Sequence, residues 1–209
     1  MNDYVIFTDS CIDLTARMAE ELELNVTPLT LLVEEKEYYN YLDESDISYK
    51  DFYDMLRDHK KTSTSQVNVS RFVEEWEPTL QAGKDILSIS FSSALSGTYN
   101  STVQAGEELR EKYPDRKIIT LDSLAASMGQ GLLLTYAAKL KKAGKTIDEV
   151  ADWVLNNRLD FCHLFTVGDL NHLKRGGRLS STKAILGTLL LVKPILHVSK
   201  EGKLVQIGQ

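Results

Sequence analysis

At 209 residues, with 43% hydrophobic and 26% charged side chains, the chain has the composition of one large or two small globular domains. That composition excludes a disordered tail or a fibrous repeat. A net charge of −6 argues against a general nucleic-acid binder, whose phosphate contacts need clustered positive charge.

The N-terminus, residues 1–7, lacks the basic start and long apolar core of a secretory signal. Residues 5–8 are a β-rich run ending at Asp9-Ser10, residue types that favour turns and caps. Leu14, Met18, Ala19 and Leu22 follow at helical spacing. Residues 25–33 read as a second buried strand, 34–46 as a polar, tyrosine-rich stretch, and 48–56 as a capped helix. Residues 61–66 form a hydroxyl-rich loop, and 69–80 read as a helix around Phe72, Val73 and Trp76.

The alternation continues with a strand at Asp85–Ser90, a loop at 92–97 and a helix at Thr98–Lys112. Another strand at 117–122 leads to an apolar helix, Ser127–Lys142, which ends at Ala143-Gly144-Lys145. Thr146 with Glu149 three residues on has the form of a capping box opening one more helix to Asn157. Residues 161–167 look strand-like, and Lys174-Arg175-Gly176-Gly177-Arg178 is a basic glycine turn. A helix over 184–191 stops before Pro194, and a strand over 193–198 turns at Glu201-Gly202-Lys203 into a returning strand.

Strands alternating with helices imply parallel βαβ units. The expected architecture is therefore α/β: an N-terminal parallel-sheet α/β/α domain over residues 1–158, and a second, smaller α/β domain beginning at 159–209. The last hairpin lacks evident sheet partners, so this second part is expected to be incomplete as given or completed by another chain. No apolar run approaches the roughly 18–20 residues that span a bilayer, so no stable membrane insertion is expected. Two cysteines, Cys11 and Cys162, are too few for a disulfide framework, and the cytoplasm is the expected compartment.

In a parallel sheet, ligands sit beyond the carboxyl ends of the strands. The hydroxyl-rich loops Asp9-Ser10, Thr64-Ser65, 92–98 and Asp122-Ser123 should therefore share one edge. Ser96 and Gly97 at the start of a helix offer a hydroxyl, free backbone N–H groups and the positive end of a dipole, which suit a carboxylate or phosphate. Simple N-capping is the competing explanation. A nucleophilic Ser96, giving a serine hydrolase of acyl esters, is the alternative, although the Gly-x-Ser-x-Gly elbow is missing. An oligomeric structural domain whose loops are only caps is a third. Gly129-Gln130-Gly131 has two glycines of a dinucleotide fingerprint without the third, and helix packing explains it better. Cys162, His163 and His172 lack metal-ligand spacing, so neither a metal nor a cofactor is expected. The basic turn is either solvated or a docking patch.

Several segments together resemble one family. Thr8-Asp9-Ser10 with Asp13-Leu14, Thr64-Ser65-Gln66, Ser92-Ser93-Ala94-Leu95-Ser96-Gly97-Thr98-Tyr99, Asp122-Ser123, Gly176-Gly177-Arg178 and Lys193-Pro194-Ile195-Leu196 stand in the order of the bacterial DegV family. The resemblance implies a two-domain fatty-acid-binding protein, the B subunit of a fatty acid kinase, with one long-chain fatty acid held between the domains. It implies that Thr64, Ser96 and Gly97 hold the carboxylate. A separate ATP-dependent fatty acid kinase subunit would then phosphorylate the bound acid to an acyl-phosphate for phospholipid synthesis, the binding protein itself performing no chemistry. Arg178 would fall in the kinase-docking segment. Thr62-Ser63 and Val67 depart from the family's pattern around Thr-Ser-Gln. The head is further expected to be tied by neutral donors, with no basic side chain upon it.

Overall fold

The computed structural model describes residues 3–168, 170–178 and 193–209. In chain order its elements are β1 (Tyr4–Asp9), α1 (Ala16–Glu21), β2 (Leu24–Thr27), β3 (Thr30–Val33), β4 (Lys36–Tyr39), α2 (Tyr49–Arg57), β5 (Thr62–Ser65), α3 (Val69–Gln81) and β6 (Asp85–Ser90). There follow α4 (Thr98–Lys112), β7 (Ile118–Asp122), α5 (Ser127–Lys142), α6 (Ile147–Asn157), β8 (Leu164–Phe165), α7 (Leu170–Arg175), β9 (Ile195–Val198) and β10 (Leu204–Gly208).

All six residues of β6 are buried, as a strand covered on both faces requires. It sits inside a parallel sheet of order β2-β1-β6-β7. Side chains alternate between faces with period two. Tyr4, Ile6, Leu87 and Ile89 therefore pack with Leu133, Leu134 and Ala137 of α5 and Val150 and Val154 of α6. Phe7 and Ile86 face the other way, onto Phe72 and Trp76 of α3 and Leu109 of α4. The result is the expected helix–sheet–helix layering. The Thr146–Glu149 capping box opens α6, with both reciprocal bonds made.

Three expectations need correction. Residues 25–33 are not one strand. The chain breaks at Pro28, whose missing N–H cannot serve a ladder, so β2 stays in the parallel sheet while β3 enters an antiparallel sheet of order β4-β3-β5. The hydroxyl-rich loop 61–66 is likewise largely strand, because Thr62–Ser65 pair with β3, Leu31 opposite Thr64. The final hairpin does have a partner: β9 pairs with β10 on one side and with the two-residue β8 on the other. The helix expected over 184–191 lies outside the described residues.

The third sheet is tied to the first at one close approach. Gly202, in the β9–β10 turn, has φ +73°, and a Cβ there would come within 2.1 Å of Ser92 Oγ. The absence of a side chain lets Ser92 Oγ donate to the Gly202 carbonyl at 2.9 Å.

Candidate functional site

The strands β1, β6 and β7 end at one edge in Asp9, Ser90 and Asp122. Two of these ends hold the loop that follows β6. The Asp9 carboxylate accepts the Phe91 N–H at 2.8 Å and the Cys11 N–H at 3.1 Å. Asp122 Oδ1 accepts the Ser93 N–H at 3.2 Å and the Leu124 N–H at 2.9 Å. Asp9 is completely buried, and that desolvation pushes its carboxyl above the usual range against the pull of the Phe91 and Cys11 amides. Gln130 Nε2 reaches the same carboxylate at 3.5 Å and Thr8 Oγ1 at 3.1 Å. The loop is thereby pinned at Phe91 and Ser93 before it delivers Ser96 to the start of α4.

Beside this edge lies a cavity of about 790 Å³, bounded by the two antiparallel sheets, the loops that follow β1 and β6, and the N-terminal turns of α5. Its volume falls within the roughly 300–1,000 Å³ typical of small-molecule sites. Leu29, Leu31, Phe91, Leu95, Leu132, Phe161, Phe165 and Leu204 supply an apolar wall. Ser10, Asn40, Thr64, Gln66, Ser96 and Arg178 supply polar groups.

Two of the three residues expected to hold the carboxylate are brought together at the cavity, and Gly97 is not among its lining residues. Thr64 and Ser96 line the same cavity. Gln66, two residues beyond Thr64, crosses onto the first turn of α4, where its Nε2 donates to Ser101 Oγ at 3.2 Å. Its amide lies so close over Gly97 that a Cβ there would stand 1.9 Å from Gln66 Oε1. Gly97 thus makes room for Gln66 and opens α4 as its N-cap, while Ser96 itself lines the cavity. Ser96 Oγ lies 3.0 Å from Thr98 Oγ1 and accepts the Thr98 N–H at 3.3 Å. Those neighbours are a hydroxyl and an amide, not the histidine that a nucleophilic serine requires.

Arg178 adds a cation to the cavity lining that the expectation of neutral donors did not include. Its Nε donates to the Leu95 carbonyl at 3.0 Å, and Arg178 lines the same cavity as Ser96. Sequence separation concealed this pairing, since 83 residues divide Arg178 from Leu95. Asn40 was hidden for a different reason: it sits in a polar stretch without a motif, yet its Nδ2 donates to Ser10 Oγ at 3.1 Å. The glycines of Gly129-Gln130-Gly131 do serve packing, against the His163 ring and against Leu14 with the Ile12 carbonyl. The buried His163 nitrogens find no partner among the described residues, and burial, then the nearby His197, holds this imidazole below its ordinary pKa.

Comparison with known proteins places this architecture. Residues 3–209 match the family described as "Uncharacterised protein, DegV family". The DegV domain-containing protein CPE0026 of Clostridium perfringens is 51% identical over 204 residues, covering 98% of this chain and 70% of that protein. Among solved structures, a DegV family protein from Thermus thermophilus, described for its fatty acid binding, superposes with a TM-score of 0.86 at 30% identity. The match covers 100% of this chain and 71% of that one. A stearic acid-binding protein from Eubacterium ventriosum gives a TM-score of 0.89 at 27% identity, over 98% of this chain and 70% of its own. DegV of Bacillus subtilis, described as a fatty acid binding protein, gives 0.83 at 30% identity, over 100% and 72%.

Proposed function

This chain belongs to the DegV family, and on that premise we propose that it binds one long-chain fatty acid and presents the carboxylate to a separate ATP-dependent kinase subunit. The acyl chain occupies the cavity between the α/β domain of residues 1–158 and the part beginning at 159. Thr64 and Ser96 hold the head. Phosphorylation of that head gives an acyl-phosphate for phospholipid synthesis, and the exposed side of Arg178 belongs to the surface the kinase meets.

One observation carries the reading: a single apolar cavity of about 790 Å³ that receives both Thr64 and Ser96. The physics agrees with it. At ~0.8 kcal/mol per buried CH₂, a C16 to C18 chain gains on the order of 12 kcal/mol before ordering costs. The tail therefore supplies most of the affinity. The charged head is costly to bury unless hydrogen-bonded, and the two hydroxyls, the first turn of α4 and Arg178 offset that cost.

Native mass spectrometry of the protein purified from bacterial cells should show an adduct of fatty-acid mass. Thr64→Ala and Ser96→Ala should weaken palmitate binding and acyl-phosphate formation more than they lower the unfolding midpoint. Delipidated protein that fails to rebind palmitate or oleate would refute the carrier reading. Unchanged affinity and turnover in both variants would remove the head from these residues.

A further inference from the structure

We infer that Thr98 is a positioning residue that fixes the direction of the Ser96 hydroxyl proton, making Ser96 an obligate donor toward the cavity. The inference rests on the proposal that the ligand's carboxylate lies at Ser96.

It follows from counting protons. A threonine or serine hydroxyl has one proton to donate and two lone pairs to accept with. Thr98 Oγ1 accepts the Val67 N–H at 3.4 Å and lies 3.0 Å from Ser96 Oγ. Ser96 Oγ already accepts the Thr98 N–H at 3.3 Å. Two assignments of the hydroxyl pair are open. If Ser96 donates to Thr98, both Thr98 lone pairs are filled and its own proton must go elsewhere. Thr98 is 0% exposed, and its oxygen has no further acceptor bond among the described residues, so that proton would be stranded in the interior. A buried donor without an acceptor is costly. If Thr98 donates to Ser96 instead, every group is satisfied. Ser96 then accepts twice and keeps one proton, and Ser96 lines the cavity.

This arrangement has a chemical consequence. With both lone pairs used, Ser96 offers a ligand only a donor. A carboxylate, which only accepts, completes the chain from the Val67 amide through Thr98 and Ser96. Hydrogen bonds in such a chain polarise one another in the same direction. The same three groups also join the segment after Gln66 to the start of α4, so the partner of Ser96 is set by the register between two loops. A hydroxyl at position 98 therefore selects for the ionised head and acts on the ligand only through Ser96.

The test uses the full chain, delipidated, with palmitate and the uncharged 1-hexadecanol as probes in titration calorimetry. Thr98→Val keeps the shape and removes the hydroxyl. It should weaken palmitate about tenfold, equivalent to about 1.4 kcal/mol, and change hexadecanol less than about twofold, since an alcohol head can donate as well as accept. Thr98→Ser restores the hydroxyl and should bring palmitate back to within about twofold of wild type, which keeps the test decisive if Thr98→Val folds poorly. In a Ser96→Ala background, Thr98→Val should have little further effect, the signature of one residue acting through another. Equal losses for both ligands, a Thr98→Ser variant as weak as Thr98→Val, or a full tenfold loss persisting without Ser96 would each overturn the inference. Wild-type protein that binds neither ligand would instead refute the carrier reading beneath it.

Discussion

Gly97→Ala is the most informative single change at the site, because its expected cost comes from one identifiable contact. The backbone at Gly97 has φ −75° and ψ 0°, which alanine adopts without strain. The added methyl, however, would lie 1.9 Å from Gln66 Oε1, 2.7 Å from Cδ and 3.1 Å from Nε2. Restoring an ordinary contact of about 3.5 Å requires the Gln66 amide to move by roughly 1.5 Å. The side chain is flexible enough to do so, but it then loses its 3.2 Å bond to Ser101. One neutral hydrogen bond is worth about 0.5–1.5 kcal/mol net, and alanine is a poorer N-cap than glycine by a further fraction of about 1 kcal/mol. The unfolding free energy should therefore fall by only about 1–2 kcal/mol in urea titrations. Fatty-acid affinity should fall by about tenfold or more, because the displaced amide links the segment after β5, which carries Thr64, to the start of α4 next to Ser96. Gln66→Ala removes the obstacle, so Gly97→Ala made in that background should cost much less stability than in wild type. An undiminished cost there would refute the contact as the cause. Gly131→Ala gives the contrast: its methyl would meet the Ile12 carbonyl at 2.6 Å, where nothing flexible gives way, and it should act on stability.

Two further predictions concern the frame that holds the site. Trp76 is fully buried against Phe7 and Phe72, yet its indole Nε1 has no partner among the described residues. Trp76→Ala should therefore cost about 3–5 kcal/mol in denaturant unfolding, whereas Trp76→Phe should cost under about 2 kcal/mol, because it also removes an unsatisfied donor. A Phe variant as damaged as the Ala variant would contradict this. At the opening of α6, Lys145 first and then the Thr146 amide hold the Glu149 carboxyl at about 2. A depressed carboxyl stabilises the fold above its unfolded value near 4.5 and loses that contribution as pH falls toward about 2. Wild type should lose more stability than Glu149→Gln across that window, and Thr146→Ala should cost about 1 kcal/mol at neutral pH. Parallel pH profiles for wild type and Glu149→Gln would count against the capping box.

Local signals were enough where one segment settles its own structure. The α4 and α5 helices run over the residues their periodicity indicates, and the capping box announces α6 at Thr146. Where partners decide, local signals failed. Residues 25–33 are rich in β-branched and apolar side chains, but that composition cannot say that the chain leaves one sheet and enters another across Pro28. β5 is a strand of four hydroxyl residues, and only its backbone pairing with β3 reveals it. The site divides in the same way. Thr64 and Ser96 stand in recognisable motifs, while Gln66 over Gly97, the Val67 amide on Thr98 and Arg178 at Leu95 depend on contacts across long stretches of chain. The arginine matters most among these, since it adds a guanidinium to the lining of the cavity that Thr64 and Ser96 share.

A crystal structure of the delipidated protein soaked with palmitate measures the central claim most directly. Continuous elongated density should fill the cavity, with the carboxylate within about 3.2 Å of both Thr64 Oγ1 and Ser96 Oγ. A cavity that stays empty at saturating palmitate, or a ligand whose head lies away from both hydroxyls, would contradict the account.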